Sequence, residues 1–304
     1  MLLFIEQLFN GLQLGVMLFL MSAGLTLVFG IMQVINLAHG SLYMVGAYVA
    51  ATVTQASGSF LIGLLVALPA TALVGMVMEV VVLRRLYDRD HLDQVLATFG
   101  LILFFNELTR IIWGRQPLFM DVPKWLSGTV ELIPGAPYPS YRLAIIFVGI
   151  LVALFLYLLF TRTRLGMQIR AGADNREMVA ALGVNIKLLY TLVFGLGALL
   201  AGLAGVMAGP ILAVESGMGE SILILTFVVI VIGGIGSIRG AMIGALLVGI
   251  VDTLGRVFLP DLLRLFLSPA TADGAGSSLA SMSVYILMAA ILVWRPHGLF
   301  PNQG

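Results

Sequence analysis

The chain has 304 residues and not one cysteine. Disulfides, a thiol nucleophile and cysteine-based metal sites are therefore excluded, and the redox compartment leaves no trace. Charge is scarce as well: 10% of residues are Asp, Glu, Lys or Arg, and the formal net charge is +1. The basic residues form no stripe or run, so no nucleic-acid partner is expected. Only Lys124 and Lys187 are lysines, and neither follows a glycine. A G-x-x-x-x-G-K-[ST] phosphate loop is thus missing, and the chain is not itself an ATPase. The three histidines, His39, His91 and His297, share no ligand spacing, and neither H-E-x-x-H nor G-x-S-x-G occurs. No enzyme activity, cofactor or metal is expected.

Apolar residues fill the space that charge leaves. They make up 60% of the chain, and the mean hydropathy is +1.09. Windows of about 20 apolar residues recur from end to end, which predicts an all-α, polytopic helix bundle forming a single transmembrane domain over residues 1–304. The windows fall near 9–29, 38–56, 60–83, 94–113, 141–161, 188–208, 240–258 and 282–294. A shorter one at 220–234 reads as a broken or re-entrant element, so the span count is eight or nine. The N-terminus lacks a basic region and an A-x-A-type cleavage site and reads as a retained first span. Arg84, Arg85, Arg89, Arg162, Arg164, Arg170, Arg176, Lys187, Arg239 and Arg295 fall on one side of the alternating topology, against six basic residues on the other. The positive-inside rule makes the richer side cytoplasmic, with the N-terminus outside and the tail inside. The Pro-rich stretch 114–140 and the Ser/Gly-rich stretch 268–281 then read as outer loops.

Two polar breaks interrupt the apolar pattern. "GIMQVINLAHGSLYMVGAY" (30–48) places Asn36, His39, Gly40 and Ser41 where a lipid-facing helix has no use for them, because unpartnered polar groups in hydrocarbon are costly. They read either as a short cytoplasmic turn or as a solute path or packing site. "GGIGSIRG" (233–240) repeats the outline: Gly233, Gly234, Gly236 and Ser237 follow an apolar run and lead into a small-residue helix. Its Gly-x-Gly spacing lacks the soluble strand and helix that a dinucleotide fingerprint requires. Gly236, Gly240 and Gly244 instead form a small-residue ridge, and Ala201, Gly205 and Gly209 form another. The shared outline of the two breaks points to an internal repeat with solute passing near its interface.

One soluble segment is unusually ordered in its chemistry. In "RAGADNREMVAALGVNIKLLY" (170–190), Asp174 and Glu177 form an Asp-x-x-Glu capping box, and Gly183 closes the pattern. A helix of roughly eight residues, about 12 Å long, lies between them. Met178, Ala181 and Leu182 share one face. A helix this short needs a surface to dock on. Elsewhere, Glu107 with Arg110 and Asp252 with Arg256 have the spacing of pairs along one helix, while Glu79 reads as interfacial. No Asp/Glu/His relay for protons is visible.

These residues carry a family resemblance. "GLTLVFGIMQVINLAHGSLYMVGAY", the preceding "QLFNGLQLG", "VIGGIGSIRGAMIGALLVGIV" (231–251) and the closing "WRPHGLF" (294–300) together resemble permease subunits of bacterial branched-chain amino acid ATP-binding-cassette importers, of the LivH type. Many relatives carry Glu after the His-Gly pair, where this chain has Ser41. The resemblance implies an inner-membrane subunit translocating branched-chain or related amino acids. Its partners would be a second homologous permease, two cytoplasmic ATP-binding subunits and a periplasmic solute-binding protein. It also implies that the segment at about 171–187, with Asp174, Glu177, Met178, Ala181, Leu182 and Gly183, is an ATPase-coupling element. A passive channel or secondary carrier for urea, an amide or another small polar solute is the alternative.

The absence of cysteine makes the topology directly testable. Single cysteines replacing Asp88, Asn175 and Ser127 are exposed to an impermeant thiol reagent in spheroplasts. Only the Ser127 position is expected to react; labelling at position 175 from outside overturns the orientation.

Overall fold

A computed structural model describes residues 2–133 and 135–300. Eleven α-helices are described: α1 (Leu2–Met32), α2 (His39–Ser57), α3 (Phe60–Val81), α4 (His91–Trp113), α5 (Ser140–Arg162), α6 (Arg164–Asp174), α7 (Arg176–Ala181), α8 (Ile186–Ala208), α9 (Met218–Gly233), α10 (Ile238–Leu263) and α11 (Pro269–Trp294). Among the described residues, seven are long and apolar enough to cross a membrane: α1, α3, α4, α5, α8, α10 and α11. The all-α, polytopic reading therefore holds, but the count of eight or nine full spans does not follow from these helices. α2 carries His39, Ser41 and Gln55 and falls short on hydropathy, and α9 has only 16 residues.

One stretch expected to be a loop is not. Residues 269–281 belong to α11, which opens on Pro269 after the cap residue Ser268. There Ala272, Gly276, Ala280 and Val284, spaced by four, form the buried face. A Cβ on Gly276 would lie 2.6 Å from the Cα of Pro260 in α10. The Ser/Gly composition that signals a loop in water is here a close-packing face. In the Pro-rich stretch 114–140, strands β1 (Thr129–Ile133) and β2 (Ala136–Pro139) pair antiparallel with Thr129 opposite Pro139. β-Branched Thr129 and Val130 and the aromatic Tyr138 suit a strand. The span expected at 282–294 is thus only the second half of α11. The tail's last four residues lie outside the described residues.

The residues cluster into two compact units. One holds the chain up to Ser22, Lys124–Gly149 and the part from Leu225 onward; the other holds Ala23–Pro123 and Ile150–Ile224. In the first, α10 packs along α11, and α1 meets α10 through glycines: a Cβ on Gly249 would sit 2.4 Å from the backbone nitrogen of Gly15. In the second, α2, α3 and α8 form the packed centre. A Cβ on Gly46 of α2 would lie 2.5 Å from the Cα of Gly202 in α8, and one on Gly205 would lie 2.1 Å from the Tyr43 carbonyl oxygen. These are backbone contacts that no rotamer change can relieve.

The contrast between buried and open glycines gives a stability test. Gly46→Val is expected to destabilise the protein by about 1–3 kcal/mol or more through overpacking. Gly100 of α4 has nothing within 4 Å of a Cβ. Gly100→Ala is expected to be neutral or slightly stabilising, because alanine favours helix. Thermal unfolding in detergent compares the two; equal melting temperatures contradict the packing argument.

Candidate membrane pathway and coupling segment

The first break begins where α1 ends. Gln33 takes a positive φ of 54° with its N–H on the Phe29 carbonyl 2.9 Å away, which stops the helix. The chain then runs without regular structure, through a turn at 37–38, to α2. Gln94 near the start of α4 accepts from the Ile35 N–H at 3.3 Å. Asn36 folds the next turn, its Oδ1 accepting from the Ala38 N–H at 3.1 Å. Asn36 and His39 are 0% exposed and Ser41 is 4% exposed. The segment is therefore protein interior, not an exposed cytoplasmic turn. Its depth follows from α8: a Cβ on Gly24 would touch both the Gly197 carbonyl oxygen at 2.6 Å and His39 Nε2 at 3.0 Å. Gly197 is eleven residues beyond Ile186, about 16 Å along α8 at 1.5 Å per residue. His39 is level with the middle of that helix.

Gly40 meets α9. A Cβ on Gly40 would lie 2.3 Å from the Gly219 carbonyl oxygen, and one on Gly219 would lie 2.1 Å from that of Gly40. The first turns of α2 and α9 thus touch backbone to backbone inside the bundle. Beside the contact is a narrow crevice, lined in part by Ser41, Met44, Asn106 and Glu220 and too tight to admit water. Asn106 of α4 donates from Nδ2 to Glu220 Oε1 at 2.5 Å. Neither Asn106 nor Glu220 was expected at a site. An acidic residue opening a short apolar helix was the available signal, since intramembrane carboxylates are functional candidates by default.

The second break belongs to the other unit. Gly234 and Gly236 adopt φ of 103° and 81°, which side-chain-bearing residues resist. Gly236 is therefore a turn residue and no part of a helical ridge. Ser237 caps α10, its Oγ accepting from the Gly240 N–H at 3.1 Å. Gly240 and Gly244 do pack against α9, at Gly233 and at the Val229 carbonyl. The N–H groups of Leu299 and Phe300 donate to the carbonyls of Ile232 and Gly233, each at 2.9 Å. The C-terminal segment thereby satisfies the end of α9.

The segment 170–187, expected to be a single short helix in a loop, is two helices. α6 is capped by Thr163, which accepts from the Gly166 N–H at 3.0 Å, and buries Gly166, Ile169 and Gly172. Asp174 is the last residue of α6, so it is not the expected N-cap. Asn175 is: its Oδ1 accepts from the Met178 N–H at 2.9 Å. Either residue type suits a cap, and the second helix simply starts one residue later. α7 has six residues, with Glu177 in its first turn. Gly183 ends it at φ 87°, with Gly183 N–H on Ala180 and Val184 N–H on Val179, a Schellman pair. Val179 is buried, whereas Met178 is 59% and Leu182 77% exposed and Ala181 lies open between them. The expected face exists, and nothing among the described residues covers it.

Charge placement departs from expectation once. Asp252 and Arg256 pair at 2.8 Å, and Glu107 and Arg110 at 2.6 Å. Glu79, read as interfacial, is 0% exposed. Arg84 binds it with Nε at 3.2 Å and Nη2 at 3.0 Å, Thr191 Oγ1 donates to it at 2.7 Å, and Tyr87 Oη at 2.6 Å. Burial and that carboxylate push the Tyr87 phenol above its ordinary value, so it remains a donor. Among the described residues no group of His, Asp and Glu has the arrangement of a metal site.

The comparisons agree across the chain. A family described as "Branched-chain amino acid transport system / permease component" matches residues 7–293. The chain is 31% identical to the high-affinity branched-chain amino acid transport system permease protein BraD of Pseudomonas aeruginosa, over 97% of this chain and 95% of that protein. It is 31% identical to the LivH permease protein of Escherichia coli, over 84% and 87%. The ribose import permease protein RbsC of Escherichia coli is 28% identical over 82% and 77%. No solved structure matches. With both breaks and the closing "WRPHGLF" inside or bordering the matched region, the chain belongs to the branched-chain amino acid transport system permease family.

Proposed function

We propose that this chain is the membrane-spanning permease subunit of an ATP-binding-cassette importer, carrying branched-chain or related amino acids into the cytoplasm. It works with a second permease of the family, two cytoplasmic ATP-binding subunits and a periplasmic solute-binding protein. The family match over nearly the whole chain carries this reading. Three structural features support it. Asn36 lies in a break that leads into the buried first turn of α2 at His39, Gly40 and Ser41, level with the middle of α8, where non-helical backbone is tolerated only inside protein or along a cavity. Gly233, Gly234, Gly236 and Ser237 form a second break of like outline. α7 presents Met178, Ala181 and Leu182 as an uncovered apolar face, held at its ends by Asn175 and Gly183.

In this reading that face sits in a groove of the ATPase and moves with it. The excess of Arg and Lys in 84–93 and 162–187 puts α6 and α7 on the cytoplasmic side, with the N-terminus outside.

Substitutions in α7 separate docking from folding. Ala181→Glu is expected to insert normally but to lose ATPase co-purification and ATP-driven uptake, because a charge is desolvated against the partner. Asn175→Ala removes the cap, a loss of about 0.5–2 kcal/mol, and weakens coupling without abolishing it. Asp174→Ala, off the cap, leaves coupling close to the parent. Full uptake and retained ATPases in Ala181→Glu overturn the coupling role of α7.

A further inference from the structure

We infer that the crevice between α2, α4 and α9 is a transit site for a zwitterionic amino acid with a compact apolar side chain, Glu220 taking its ammonium group. The inference rests on the importer reading above and names the chemistry of its passage. Three kinds of group converge on the crevice.

The first is a bare carboxylate. Glu220 is exposed and its Oε1 accepts from Asn106, yet it has no ion pair among the described residues. The nearest base along α4, Arg110, is engaged with Glu107 and Ser216. Glu220 follows Gly219, whose backbone touches Gly40, one residue past the His39 that lies level with the middle of α8. An ionised side chain at such depth does not face hydrocarbon; it faces a partner, water or a solute. Asn106 holds one oxygen in place and leaves the other for a cation.

The second kind is a set of donors. Ser41 is 4% exposed, lines the crevice and has no side-chain hydrogen bond among the described residues. It sits in the first turn of α2, and the first turn of α9 meets it across Gly40 and Gly219. The positive ends of two helix dipoles favour a carboxylate there. The third kind is apolar: Met44, Ile102 and Leu223 line the same crevice and suit a branched hydrocarbon side chain. A neutral sugar offers Glu220 no cation. An α-amino acid satisfies all three at once.

The crevice is shut in this conformation, since it is too narrow for water. Passage requires α2 and α9 to part at Gly40 and Gly219. Two glycines in backbone contact give the joint little to break besides van der Waals contact.

The test uses the permease reconstituted with its partner permease, ATPases and binding protein in proteoliposomes. Glu220→Gln is expected to lower ATP-driven L-leucine uptake by about tenfold or more, since a charged hydrogen bond is lost. Its assembly and its ATP hydrolysis stimulated by the binding protein should persist, and Glu220→Asp should restore part of the uptake. A purely structural role for Glu220 would instead reduce assembly. In a second arm, Leu223→Cys in this cysteine-free chain reports access by its rate of reaction with a small thiol reagent during turnover. L-leucine should slow that reaction, whereas 4-methylpentanoate and 3-methylbutylamine, each lacking one charged group, should not; Glu220→Gln should abolish the protection. Uptake by Glu220→Gln equal to the parent, equal protection by all three compounds, or no reaction at position 223 overturns the site. Failure of the parent assembly to take up L-leucine with ATP overturns the importer reading itself.

Discussion

Inside a membrane every backbone N–H and C=O must find a partner within the protein, and this fold depends on how it meets that demand where its helices break. The two breaks do so differently. At 33–38 the partners are side chains: Asn36 closes a turn on the Ala38 N–H, and Gln94 accepts from Ile35. At 234–237 the partners are mainly backbone and a cap: two glycines with positive φ make the turn, Ser237 caps α10, and residues 299 and 300 donate to the end of α9. A break served by side chains opens when those side chains turn away. A break closed by backbone on both sides is harder to open. The first is therefore the compliant one, and it leads directly to the Gly40–Gly219 contact.

Much of this was legible in the sequence, because lipid imposes simple rules. Apolar windows gave the long helices, and polar residues within them marked both breaks by number. What stayed hidden depended on partners remote in sequence or on a change of solvent. Glu79 reads as interfacial with only Arg84 in view; its burial is stabilised by Tyr87 and by Thr191, which lies 112 residues away. Residues 268–281 carry a loop's composition, yet small residues spaced by four are also what two close helices require. Within the coupling segment, Asp174 and Asn175 are both acceptable caps, and only the extent of α6 decides between them.

Glycine plays two opposite parts in the molecule. At Gly46, Gly202 and Gly205 it locks α2 and α8 together, because backbone packed on backbone leaves no side chain to rearrange. At Gly40 and Gly219 the same close approach joins two helix beginnings whose other neighbours include a crevice. In the transit reading, identical local geometry makes a fixed core in one place and a joint that parts in the other. The difference is what surrounds the contact: continuous helix on both sides at Gly46, a break and a helix start at Gly40.

The buried Glu79 cluster ties these parts to α7. Arg176, the first residue of α7, is within 3.7 Å of Asp88 and lies close to Tyr190. Tyr190 stacks edge-on against Tyr87 at 5.4 Å, and its hydroxyl reaches the Ile31 carbonyl at 3.5 Å. Tyr87 in turn donates to Glu79 and touches Met32. Contiguity alone does not establish coupling; a bistable element must lie at the end of the chain of contacts. Here it does. Glu79 is satisfied by three donors, so a displacement of α7 meets a stiff block, because breaking a buried charge network is expensive. The block ends at Ile31 and Met32, and the next residues are Gln33 and the irregular break. Motion that the block does not absorb falls on 33–38, the one segment between α1 and α2 without a helical ladder to resist it.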